Sequence, residues 1–160
     1  MKKEIMEQVA FAYVEGDIYN SINRVLDHID IPDVSGKKVL IKPNMGRSAD
    51  PASGIITTPE VIKAVSKYFL NLEAAEVIVG DSPITGVDSI EAFNRAGISS
   101  QTLPKGVTLV DFDASKPVRV QISNGRLIKH IRICRAVAEA DYIVSLPVMK
   151  THMHTVVSLG

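Results

Sequence analysis

The chain has 160 residues, 46% hydrophobic and 22% charged, enough apolar content for one domain with a true core and too much for intrinsic disorder or a fibrous repeat. Eighteen Lys and Arg cancel eighteen Asp and Glu, so no global field exists to hold a nucleic-acid backbone or an anionic membrane, and neither partner is expected. The single cysteine, Cys134, excludes an intrachain disulfide and supplies too few thiolates for a zinc ribbon or an iron-sulfur cluster.

In chain order, the start carries Glu4 and Glu7 where a signal peptide would need an apolar stretch. No apolar run approaches the roughly 20 residues of a membrane-spanning helix, and a cytoplasmic location is expected. Residues 8–14 form a short apolar run suited to a strand. A helix over residues 17–29 follows, with Ile18, Ile22, Val25, Leu26 and Ile29 at helical spacing behind a capping Asp17. Residues 37–44, rich in β-branched and aliphatic side chains, read as a buried strand. Residues 45–58 are rich in Gly, Ser, Asp and Pro, a loop longer than most strand-to-helix connections and so a functional candidate.

Thr57-Thr58-Pro59-Glu60 starts the next helix, with Thr58 as N-cap, Pro59 at the first helical position and Val61, Val65, Tyr68, Phe69 and Leu72 on its buried face. Residues 76–80 give a strand left through Asp81-Ser82-Pro83, residues 89–96 a short helix stopped by Gly97, and residues 107–111 a further strand. Asn124-Gly125, between two alternating runs, signals an antiparallel hairpin. Helix formers over residues 134–140 lead to a last strand, residues 141–146, closed by Pro147. The fold expected is α/β, a mostly parallel, Rossmann-like three-layer sheet, with the hairpin inserted at its edge or above it. Residues 1–160 read as one α/β domain. The apolar ending from Thr155 to Gly160 suggests that it is cut short at its C-terminal end.

Ligands of open parallel sheets bind outside the carboxyl ends of the strands, which directs attention to three exits: Lys42-Pro43-Asn44, Asp81-Ser82-Pro83, and the segment from Pro147 through Lys150-Thr151-His152 to His154. Lysines, an asparagine, hydroxyls and imidazoles aimed at one crevice suit an anionic small molecule bearing a carboxylate or phosphate. Lys42, Asn44, Ser82, Lys150 and Thr151 are the candidate ligand-binding residues, and Asp81 and His152 the candidate proton-handling, catalytic ones. His152 and His154, two apart, would point the same way on an extended segment and could share a divalent metal, although no third ligand stands at a recognised spacing. The plainer alternative is that the prolines stop strands while the polar residues solvate their ends.

Other residues read as structural. Cys134 reads as a small hydrophobe, His130 as a half-exposed strand residue and His28 as a partner of a helix dipole. Asp111 and Asp113 have a spacing that forms turns more often than it holds a cation. No dinucleotide, P-loop or nucleophile-elbow motif is present, so a Rossmann-like sheet here does not imply NAD.

Taken together, Ile41-Lys42-Pro43-Asn44, Thr57-Thr58-Pro59-Glu60-Val61-Ile62, Val79-Gly80-Asp81-Ser82-Pro83 and the stretch from Ala140 to Pro147 leading into Lys150-Thr151-His152 resemble the family catalogued as domain of unknown function 362. Its members are often joined to ferredoxin-type iron-sulfur modules. The resemblance runs over almost the whole chain and implies an N-terminal portion, with any cluster-binding cysteines in further sequence or in a partner supplied in trans. It supports the same site set, Lys42, Asn44, Asp81, Ser82, Lys150, Thr151 and His152, but transfers no reaction. Two functions follow as expectations. One is a redox-linked enzyme or its substrate domain, in which Lys42 and Lys150 hold an anion while Asp81 or His152 handles a proton. The other is a non-catalytic module that binds or delivers a ligand, metal or cluster partner. Apolar surface left by an incomplete fold would favour self-association.

Overall fold

A computed structural model describes residues 8–152 and 155–158. In chain order it contains α1 (Ile18–Leu26), β1 (Lys38–Pro43), α2 (Pro59–Asn71), β2 (Glu76–Asp81), α3 (Ser89–Arg95), β3 (Val107–Asp111), β4 (Pro117–Gln121), β5 (His130–Cys134), α4 (Arg135–Glu139), β6 (Tyr142–Leu146), β7 (Lys150–His152) and β8 (Val156–Ser158). Four strands form a parallel sheet in the order β3-β2-β1-β6, as the α/β reading requires. The hairpin β4-β5 and the short pair β7-β8 each form a separate antiparallel sheet.

The interior strands are continuous aliphatic runs. Val39-Leu40-Ile41 and Val77-Ile78-Val79 are all buried, the pattern of strands covered on both faces. On one face Val39, Ile41, Val77 and Val79 join Val65 and Phe69 of α2 and Phe93 of α3 in a single apolar cluster. On the other face lie Leu40 and Ile78, and a groove there is lined by Ile78, Val110 and Ala136 of α4. This cover thins toward β6, where Ile143 is 48% exposed.

Local expectations meet the structure unevenly. Asp17 caps α1 by accepting the Tyr19 N–H, and α3 runs into Gly97 at a left-handed φ of 75°. Thr58 occupies the N-cap position of α2 without a side-chain cap bond, so Pro59 and Glu60 mark this start rather than a hydroxyl. Ile62 and Ala64 are buried in α2, whereas Leu72, just past its last turn, is exposed. The expected strand over residues 8–14 is a correction. These residues pair with no strand among the described ones, and Phe11 is 86% exposed. A short apolar run carries strand propensity, but only a ladder partner makes it a strand, and both interior positions beside β1 are taken. The hairpin forms, yet not on a two-residue turn. Ile122 N–H donates to Lys129 O at 2.9 Å, and residues 123–128 bridge the strands with Asn124 at φ 58°.

The topology fixes where a ligand would sit. From β1 the chain steps outward to β2 and β3, then returns to the far side of β1 for β6, so the order reverses between β1 and β6. Their carboxyl ends, Pro43 and Leu146, are register partners. The crevice outside such a switch point is where open α/β sheets bind ligands. One buried side chain closes it. Thr57 Oγ1 accepts the Asn44 N–H at 2.8 Å and donates to Leu146 O at 2.6 Å, while Thr57 N–H donates to Asn44 O at 3.0 Å.

Thr57→Val keeps the shape but leaves the Asn44 N–H and Leu146 carbonyl without partners. We expect a loss of about 1–3 kcal/mol in urea denaturation, with Thr57→Ser losing less. In β2, a Cβ on Gly80 would strike the Phe112 ring and lie 2.7 Å from Val110 O on the paired strand. The ring can shift but the backbone cannot, so Gly80→Ala should cost about 1–3 kcal/mol in the same assay.

Candidate functional site

The parallel sheet delivers Lys42 and Pro43 of β1, Asp81 of β2 and the exit of β6 to one end. Asp81 is the buried charge of this end, its side chain 4% exposed, and both oxygens are engaged: Oδ1 pairs with Lys42 Nζ at 2.8 Å and Oδ2 accepts the Met45 N–H at 2.8 Å. A carboxylate out of water needs such partners, and these two pull the start of the 45–58 loop onto β2. Lys42 remains 47% exposed.

The loop then meets the segment beyond β6. Asn44 Nδ2 donates to Ile55 O at 2.9 Å, and Lys150 Nζ, entering on β7, donates to Asn44 Oδ1 at 3.2 Å and Ile55 O at 2.7 Å. A lysine ammonium has three donors, and Asn44 and Ile55 take two of them. Around these groups opens a cleft of about 450 Å³, lined by Asn44, Gly46, Arg47, Ile55, Ile84, Lys150, Thr151, His152 and Ser158. None of these lining residues is acidic. Burial pulls the Lys150 pKa below the ordinary lysine value, and the Arg47 charge lowers it further.

The predicted residues thus divide. Asn44, Lys150, Thr151 and His152 line one cleft, while Lys42 and Asp81 form an ion pair beside it that does not line it. Ser82 turns elsewhere: its hydroxyl donates to Asp113 Oδ1 at 2.6 Å, and Ser89 donates to the other Asp113 oxygen. Asp111 caps a turn, accepting the Asp113 and Ala114 N–H groups. Thr155 N–H donates to His152 Nδ1 at 3.3 Å. His154 lies outside the described residues. Among those described, no group of three or more His, Cys, Asp or Glu gathers where a metal ion could be held. Cys134, partly buried at the N-cap of α4, does not supply the thiolate set of an iron-sulfur cluster.

Arg47, Thr57, Ile55 and Ile84 escaped sequence reasoning. The length of the 45–58 loop marked the region, but no spacing rule distinguishes Arg47 from its polar neighbours. Thr57 read only as part of a helix start. Isoleucines stranded in polar loops were the available signal for Ile55 and Ile84, which no periodic pattern claims.

Comparisons with known proteins bear on this geometry. A thylakoid-associated protein from Synechocystis sp. is 26% identical over 125 residues, a stretch that covers 78% of this chain and 37% of that protein. The match therefore spans little more than a third of the relative's length. No solved structure matches the chain. Among the described residues no helix is long and apolar enough to cross a membrane. The family model described as domain of unknown function (DUF362) matches residues 39–160, from the second residue of β1 through the whole parallel sheet and the cleft, and the chain belongs to that family.

Proposed function

We propose that the chain binds an anionic small molecule in the cleft outside β1 and β6, with Arg47 and Lys150 as its charge partners and Asn44 and Thr151 as polar ones. One observation carries this reading: two cationic side chains share a cleft with no carboxylate among the described residues that line it, and one of them is lowered in pKa by burial and then by the other's charge. Holding like charges together costs free energy that a bound anion returns. A carboxylate or phosphate suits the planar fork of Arg47 and the point charge of Lys150. The same two charges oppose a divalent cation, which disfavours a metal held by His152 and His154.

Asp81 acts in this account as a positioning residue. Its paired carboxylate holds Met45 and hence the Asn44–Arg47 segment in place. A catalytic reading rests on His152, which stands in the same cleft and would exchange a proton with a bound ligand. Redox chemistry would then draw on a ferredoxin-type module elsewhere in a longer chain or in trans, because Cys134 alone holds no cluster. A binding or delivery module without turnover uses the same residues and differs only in whether the ligand changes.

The test is a titration of the chain with inorganic phosphate and small carboxylates, followed by thermal shift. A ligand present at 100 times its Kd adds about 2.7 kcal/mol of stability. Lys150→Met and Arg47→Met should each weaken binding about tenfold or more, since each removes a charge-assisted hydrogen bond. Unchanged affinity in both variants rejects the site. Because the free protein already disfavours charge on Lys150, affinity should hold at neutral pH and fall as pH rises through a pKa below the ordinary lysine value. Lys150→Arg, which stays charged, should abolish that alkaline loss.

A further inference from the structure

Resting on the anion site just described, we infer that its ligand is amphipathic: a soluble molecule with a phosphate or carboxylate head and an apolar body that lies across Ile55 and Ile84. These side chains come from separate loops, one before α2 and one after β2, yet both line the cleft that holds Arg47 and Lys150. They are 40% and 47% exposed. A single exposed isoleucine needs no explanation, but two in a lining that also holds a pair of cations offer a ligand an apolar wall as well as charge.

Their positions are fixed by the groups that place the charges. Ile84 N–H donates to Gly46 O at 3.1 Å, beside Arg47, and Ile55 O accepts the Lys150 ammonium at 2.7 Å. The backbones that carry the two isoleucines are thereby tied to the segment of Arg47 and to Lys150. The volume of about 450 Å³ falls within the range of roughly 300–1,000 Å³ for small-molecule sites and far exceeds what an inorganic anion fills. Zero net charge on the chain favours a soluble molecule over a lipid headgroup held at an anionic bilayer.

The experiment compares inorganic phosphate with methyl, butyl and hexyl phosphate by calorimetry on the 160-residue chain, and adds vesicles containing phosphatidic acid as a separate arm. Affinity should rise by up to about fourfold per methylene until the wall is covered. Ile84→Ser should flatten that gradient, whereas Lys150→Met should lower every member by a similar factor. A flat series with phosphate binding retained overturns the amphipathic ligand and leaves the anion site standing. No binding by any member overturns both. Capture by the vesicles, with no gain along the soluble series, overturns the soluble ligand in favour of a membrane one.

Discussion

The arrangement of the candidate site depends on the Thr57 hydroxyl, which joins the exits of two parallel strands that meet where the sheet reverses direction. By accepting from Asn44 and donating to Leu146, it converts the open switch point between β1 and β6 into a fixed floor. Three groups of the cleft connect to that floor. Asn44 is oriented by it, Ile55 is reached from Asn44, and Lys150 is held by both. Backbone topology thus chooses the location, and one buried hydroxyl sets its shape.

Charge is managed differently on the two sides of this floor. At the β2 end the buried Asp81 carboxylate is satisfied by Lys42 and the Met45 N–H, an arrangement that is complete as it stands. In the cleft, no acid stands among the described residues that line it beside Arg47 and Lys150, and the Lys150 pKa is lowered first by burial and then by the Arg47 charge. In the proposed function the first arrangement holds the loop and the second receives the anion. That contrast separates Asp81, which positions the loop, from Lys150, which faces the cleft.

Much of the fold was legible in the residues. Continuous aliphatic runs announced β1 and β2, Pro59 and Gly97 punctuated two helices, and Asn124-Gly125 marked the hairpin. What failed did so where local pattern and tertiary pairing part. Residues 8–14 have the composition of a strand but no ladder partner among the described residues, and β7 and β8 are too short to show a period. For the site, proline-bounded exits gave Asn44, Lys150, Thr151 and His152, because strand ends can be read in one dimension. Ser82 shared that signature but turned to Asp113, a partner 31 residues away that no local rule could assign. Arg47, Ile55 and Ile84 belong to loops, whose convergence exists only in three dimensions.

The central claim, that an anion binds at the switch point, is tested most directly by recording backbone amide spectra of the isotopically labelled chain during addition of inorganic phosphate. The account predicts saturable shifts concentrated at Asn44, Gly46, Arg47, Lys150 and Thr151, on the two segments that meet outside β1 and β6. Shifts centred elsewhere on the surface, or none at millimolar phosphate, would contradict it.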